Sequence, residues 1–191
     1  MKILVFGGSF DPIHEGHAVV ASYASQCGVA DEVWLLPNAV NPLKTATQPA
    51  PDADRLAMCE LIAASLPAVK VCDVEIHNHQ PHYTYDTLRK LGAEYPQHEF
   101  RLLIGSDNWL IFDKWKNSEK IIAEFAPVIY PRPGYPVVQE SLPAGVSILE
   151  DAPMVLLSSS FIREWKKSGH SLLYIVPDNV REYIEERKLY E

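Results

Sequence analysis

Residues 7–17 read GGSFDPIHEGH and set two imidazoles, His14 and His17, three positions apart behind a glycine pair. Three chemistries compete for this pattern. One is a zinc site, because His-Glu-Gly-His is a shortened form of the metalloprotease helix. That helix needs its histidines at i and i+4, however, and no third ligand stands at a recognisable spacing. The second is a helix start that is merely capped, which leaves Gly7, Gly8 and Gly16 unexplained, since glycine is what lets backbone approach a ligand closely. The third is phosphate binding. An apolar run (KILVF), a glycine turn and a helix start present backbone N–H groups and a positive dipole end to an anion, and two imidazoles add donors. The spacing is neither GxxxxGK[ST] nor GxGxxG.

The elements that must position these residues alternate along the chain. Runs at 2–6, 32–36, 69–74, 100–104, 127–130 and 146–149 are rich in Val, Ile and Leu without strict alternation, as in strands of a parallel sheet covered on both faces. Between them lie helical rows: His17, Val20, Ala21, Ala24 and Cys27; Leu56, Cys59, Ala63 and Leu66; Leu88, Leu91 and Tyr95. Pro177 suits a first helical position ahead of Val180, Tyr183 and Ile184. The expected fold is α/β, doubly wound, with a mostly parallel sheet and helices on both faces. Two Pro-rich stretches, 37–51 and 130–136, read as loops within one domain spanning 1–191. Ligands of such folds bind outside the carboxyl ends of the strands, where the histidine pair falls.

The chain has 191 residues, with Asp and Glu outnumbering Lys and Arg by 25 to 17 and a net charge of −8. A field of that sign repels nucleic acid and anionic membrane, while a local basic pocket still admits a small phosphorylated substrate. No run approaches the roughly 18 apolar residues of a membrane span, and the N-terminal apolar run is too short for a signal peptide. Cys27, Cys59 and Cys72 sit in apolar surroundings at no metal-binding spacing and read as reduced core thiols, so a cytoplasmic setting is expected. A homo-oligomer is compatible with the sequence. The cluster His77-Asn78-His79-Gln80-Pro81-His82 reads as a solvated loop rather than a metal site.

GGSFDPIHEGH resembles the HxGH signature of the nucleotidyltransferase superfamily, and LSSSFIR at 157–163 resembles its second signature, ISSTxIR. With both present, phosphate binding is the preferred chemistry. Further stretches resemble one branch, the bacterial nicotinate-nucleotide adenylyltransferases: HYTYDTL (82–88), LLIGSDNWLIFDKWK (102–116), RPGY (132–135) and YIEERKLY (183–190). The chain departs from that branch at Leu43, where a histidine is usual before Lys44, at Lys116 and at Ser160.

The resemblance implies a Rossmann-like nucleotidyltransferase fold and adenylyl transfer from ATP to nicotinate mononucleotide, with Mg²⁺ carried in on the ATP. His14 and His17 are then expected on the ATP phosphates, and Lys44 and Arg163 on the departing pyrophosphate. Gly7, Gly8, Ser9, Phe10, Gly105, Ser159, Ser160 and Ile162 are expected to bind ATP. Thr84, Tyr85, Asp107 and Trp115 are expected to bind the mononucleotide. There Asp107 would take the ribose, Trp115 would stack on the cationic ring, and the helix start at Thr84-Tyr85 would take the ring carboxylate. Two alternatives remain at this level: an adenylyltransferase acting on phosphopantetheine, and a nucleotide sensor without catalysis.

Overall fold

The computed structural model describes residues 1–38, 49–76 and 82–191. Its strands are β1 (Lys2–Gly8), β2 (Glu32–Pro37), β3 (Val69–Val71), β4 (Glu99–Gly105), β5 (Val128–Tyr130) and β6 (Ser147–Ile148). They form one sheet in the order β3-β2-β1-β4-β5-β6, and every pairing is parallel. The expected mostly parallel sheet is thus wholly parallel among the described residues.

β1 runs down the middle and alternates between two cores. Leu4 and Phe6 point into one cluster, and Ile3 and Val5 into the other. Residues buried on both faces are why KILVF shows no polar alternation. The helices divide accordingly. Against the first cluster lie α1 (Glu15–Gln26), α2 (Asp52–Ser65), α6 (Ser159–Lys167) and α7 (Asp178–Glu186), through Ala21 and Ala24, Met58 and Ile62, Ile162, and Val180 and Ile184. Against the second lie α3 (Thr84–Glu94) and α5 (Ser118–Phe125), through Leu88, Leu91, Ile121 and Phe125. A single turn, α4 (Ser106–Trp109), follows β4 directly.

Chain order reverses between β1 and β4, whose carboxyl ends are Gly8 and Gly105. Helices leaving adjacent strands to opposite faces open a crevice there. Two expectations need correction. Cys59 and Cys72 are buried, but Cys27 is exposed, because it falls at the C-cap of α1 where the helical row leaves the core. Pro177 is the N-cap of α7 rather than its first residue. No helix among the described residues is long and apolar enough to cross a membrane.

Candidate active site

The loop between β1 and α1 is held by donors from four directions. Gly8 O accepts from Asn38 N at 2.9 Å, Ser9 O from Arg55 Nη1, Asp11 O from Arg163 Nη1 at 2.7 Å, and Pro12 O from Ser159 Oγ at 3.0 Å. Carbonyl oxygens that would repel a phosphate are therefore already engaged elsewhere. Phe10 turns the chain with φ 46, and its buried ring meets the rings of Phe6 and His17 edge-on, with centroids 5.7 and 5.0 Å away. Gly8 is tied to this packing, since a Cβ there would lie 3.0 Å from the Phe10 ring.

α1 is capped by the histidines themselves. His14 Nδ1 accepts from Gly16 N at 3.1 Å, and His17 Nδ1 accepts from His14 N at 3.3 Å. The pair thus fills both places of a capping box usually built from Ser or Thr with Glu. A capped helix start and a ligand site are therefore one arrangement here. An Nδ1 that accepts carries no proton, so each neutral ring keeps its proton on Nε2, which is left as the donor. Burial, with the Arg132 guanidinium second, pushes the His14 pKa down to about 4. Burial holds His17 well below its ordinary value, with His14 and Arg132 acting in the same direction. The rings are 3.8 Å apart, too close for two cations. Gly16 is a requirement of this cap: a Cβ there would stand 3.0 and 3.1 Å from the His14 ring.

α6 brings the second signature to the same loop. Ser158 is its N-cap and accepts from Phe161 N at 3.2 Å. Ser159 donates to Pro12 O, and Ser160 Oγ accepts from Arg163 Nη2 at 3.3 Å. The Arg163 guanidinium thus lies beside the loop that leads into His14. Two residues expected to bind ATP, Phe10 and Ile162, have their side chains in the core, 1% and 0% exposed, so only their main chain is left for a ligand. The reason is geometric. A signature adjacent to a ligand on a helix or turn must turn every third or fourth side chain inward. Lys44 and the cluster at 77–81 lie outside the described residues.

Across the crevice, Gly105 leads into Asp107 at the start of α4. Asp107 Oδ2 accepts from Arg132 Nη1 at 2.9 Å, and Arg132 N donates to Ser106 Oγ at 2.9 Å. Asp107 Oδ1 is buried and has no partner among the described residues. Arg132, just past β5, is a site residue that the sequence reading did not single out. The signal was available, since RPGY directly follows a strand end.

Thr84 and Tyr85 are the first two residues of α3. Their cap, Tyr83, makes no side-chain cap bond, so N–H groups of the first turn remain for a ligand. The Tyr85 hydroxyl is committed to Glu124 Oε1 at 2.8 Å, which confines its contribution to the main chain. Trp115 is half-buried against Phe112, with centroids 5.1 Å apart. Its neighbour Lys116 lies 3.8 Å from the Tyr83 ring centre and 3.6 Å from Asp86 Oδ2, which holds the Trp115 segment to the start of α3. A hollow of about 460 Å³ between α1 and α2, lined by Ala18, Tyr23, Ile62 and Leu66, is apolar, and none of these groups lines it.

A family model described as Cytidylyltransferase-like matches residues 5–165. A probable nicotinate-nucleotide adenylyltransferase of Bacteroides fragilis is 42% identical over 92% of this chain and 87% of its own length. The chain belongs to this family of adenylyltransferases. One from Bacteroides thetaiotaomicron is 41% identical over 97% of this chain and 92% of its own. Among solved structures, the Plasmodium falciparum nicotinic acid mononucleotide adenylyltransferase complexed with NaAD superposes with a TM-score of 0.80. It covers 99% of this chain and 97% of its own at 23% identity, which establishes the shared fold.

Proposed function

We propose that residues 1–191 form one catalytic domain that transfers the adenylyl group of ATP to nicotinate mononucleotide, giving nicotinate adenine dinucleotide and pyrophosphate in the cytoplasm. The observation that carries this is the capping pair: two imidazoles held as neutral Nε2–H donors at a helix start, with Arg163 bonded to the loop just before them at Asp11 O and Arg132 near enough to lower the His14 pKa. The names of the relatives support the same substrates.

A phosphate oxygen of the mononucleotide attacks the α-phosphorus of ATP as the bond from that phosphorus to the β-bridging oxygen breaks. A phosphomonoester with a second pKa of about 6 is already ionised, so no side-chain base is needed. The protein's task is to align the two phosphates and to meet the charge that builds on them. His14 and His17 donate from Nε2, and Arg163 and Lys44 take the charge that leaves with pyrophosphate. Main-chain groups around Gly7, Gly8, Ser9, Phe10, Gly105, Ser160 and Ile162 line the path of ATP. The Ser159 hydroxyl, committed to Pro12, fixes α6 against it. The unpartnered Oδ1 of Asp107 suits a ribose hydroxyl. Trp115 stacks on the cationic ring. The first-turn N–H groups at Thr84 and Tyr85 favour a carboxylate over an amide.

The described residues gather no group of three His, Cys, Asp or Glu able to hold a metal. Of the nearby carboxylates, Asp11 lies beside Arg163, and Asp107 has one oxygen on Arg132 and the other assigned to the ribose. Mg²⁺ fits this site as part of the substrate, MgATP.

The test is direct. With ATP, Mg²⁺ and nicotinate mononucleotide, pyrophosphate and the dinucleotide appear in equal amounts, faster than with the amide counterpart or with phosphopantetheine. His17→Ala lowers turnover by about 10²-fold, with a smaller effect on mononucleotide KM. Release of pyrophosphate with phosphopantetheine alone, or with none of the three, would refute the proposal.

A further inference from the structure

Asp11 precedes the catalytic histidines, yet its carboxylate faces away from them and is buried, with 4% of the residue exposed. Its Oδ1 accepts from Tyr190 Oη at 2.8 Å and from Ala50 N at 3.1 Å. Its Oδ2 stands 3.5 Å from Arg163 Nη1, which donates instead to the main-chain Asp11 O at 2.7 Å. This is an unusual partition. A buried carboxylate next to a guanidinium ordinarily closes into a short, two-bonded pair, with N···O near 2.7–2.9 Å. Here one oxygen is taken by Tyr190 and Ala50, the pair stays long, and Arg163 Nη2 reaches outward to Ser160 Oγ at 3.3 Å.

The chain turns to place that hydroxyl. Lys188 and Tyr190 both have left-handed φ values, 52 and 63, which side chains rarely adopt, and they bring Tyr190 back from α7 onto the core beside Leu189. Backbone strain retained at a particular point suggests that the contact it permits matters. Burial, together with the Asp11 carboxylate, pushes the Tyr190 pKa upward, so the hydroxyl stays a donor throughout the working pH range.

We propose that Tyr190 is a positioning residue for ATP. By occupying Asp11 Oδ1, it keeps the Asp11 carboxylate from closing on the Arg163 guanidinium, and so leaves the Nη2 edge of Arg163 outward for the triphosphate. The proposal rests on Arg163 acting as a phosphate-binding cation. Tyr190 itself touches no substrate in this scheme.

Tyr190→Phe deletes the hydroxyl and keeps the ring. ATP and mononucleotide affinities are measured by titration calorimetry, alongside KM values, for the native chain, Y190F, R163A and the double variant. Y190F should weaken ATP roughly three- to tenfold while mononucleotide binding stays within about twofold. In the R163A background the same substitution should change ATP affinity less than about twofold, because the group it acts through is gone. A chain ending at Leu189 should reproduce the split. The inference is overturned if Y190F leaves ATP affinity unchanged, weakens both ligands alike, or repeats its loss without Arg163. A native chain that binds ATP but releases no pyrophosphate with nicotinate mononucleotide would sink the assigned reaction while this link is still decided by calorimetry.

Discussion

At the scale of single residues, the site depends on which nitrogen of each imidazole carries the proton. Main-chain donors occupy both Nδ1 atoms, so the cap selects the tautomer with the proton on Nε2, the donor that the proposed reaction requires. ¹⁵N-resolved spectra at pH 7 should show Nδ1 bare and Nε2 protonated in His14 and His17, and His14 should remain neutral down to pH 5, consistent with its pKa of about 4. A doubly protonated ring at pH 6 would contradict the geometry. The sequence displayed these histidines plainly, because their neighbours are glycines and a strand end. It hid the fact that Ser159, Tyr85 and Ile162 spend their side chains on the scaffold, since a signature shows which residue is present but not which way it faces.

At the scale of elements, the junction of β4 with α4 is where the proposal puts the mononucleotide ribose, on Asp107. A Cβ on Gly105 would collide with the Asp107 carboxylate and lie 2.9 Å from Arg132 Cδ and 3.0 Å from the Tyr130 hydroxyl. The φ of −73 at Gly105 is ordinary for any residue, so the demand is purely one of space. Gly105→Ala should therefore raise the mononucleotide KM roughly tenfold through the displaced Asp107, raise the ATP KM as well because the Gly105 main chain must shift, and leave the chain folded. Steady-state kinetics with each substrate varied in turn would check this. Strand positions were legible within a few residues because parallel strands are apolar throughout. α5 was not anticipated: its buried residues, Ile121 and Phe125, form a row too short to stand out. For Arg132 the strand end before RPGY marks its position in the sequence, but its pairing with Asp107 is visible only once β5 stands beside β4.

At the scale of the molecule, the histidine cap links the site to global stability. His14 binds a proton with a pKa near 4 when folded and about 6.5 when unfolded, so the unfolded chain protonates first as pH falls. The contribution is complete above pH ~6.5 and is lost as pH drops towards 4, by about 3 kcal/mol over that window. Between pH 7 and pH 5 the native chain should lose about 2 kcal/mol that His14→Asn does not, since asparagine can cap the helix without titrating. Urea unfolding at the two pH values measures the difference. Equal losses would place the His14 titration outside the folding equilibrium. The doubly wound architecture was readable from β–α alternation. The order of strands was not, because parallel strands of similar composition do not encode their neighbours.

The sheet also acts as a partition. His14, His17 and Arg163 hang from helices rooted in the interior below one face, whereas Thr84 and Trp115 belong to segments rooted in the interior below the other. Among the described residues, the strands separate the two interiors. Loosening the packing around Leu88 or Ile121 should therefore blur recognition of the acceptor and leave the donor nucleotide's grip intact. By the same separation, a descendant of this chain could acquire a new acceptor by rebuilding one half alone.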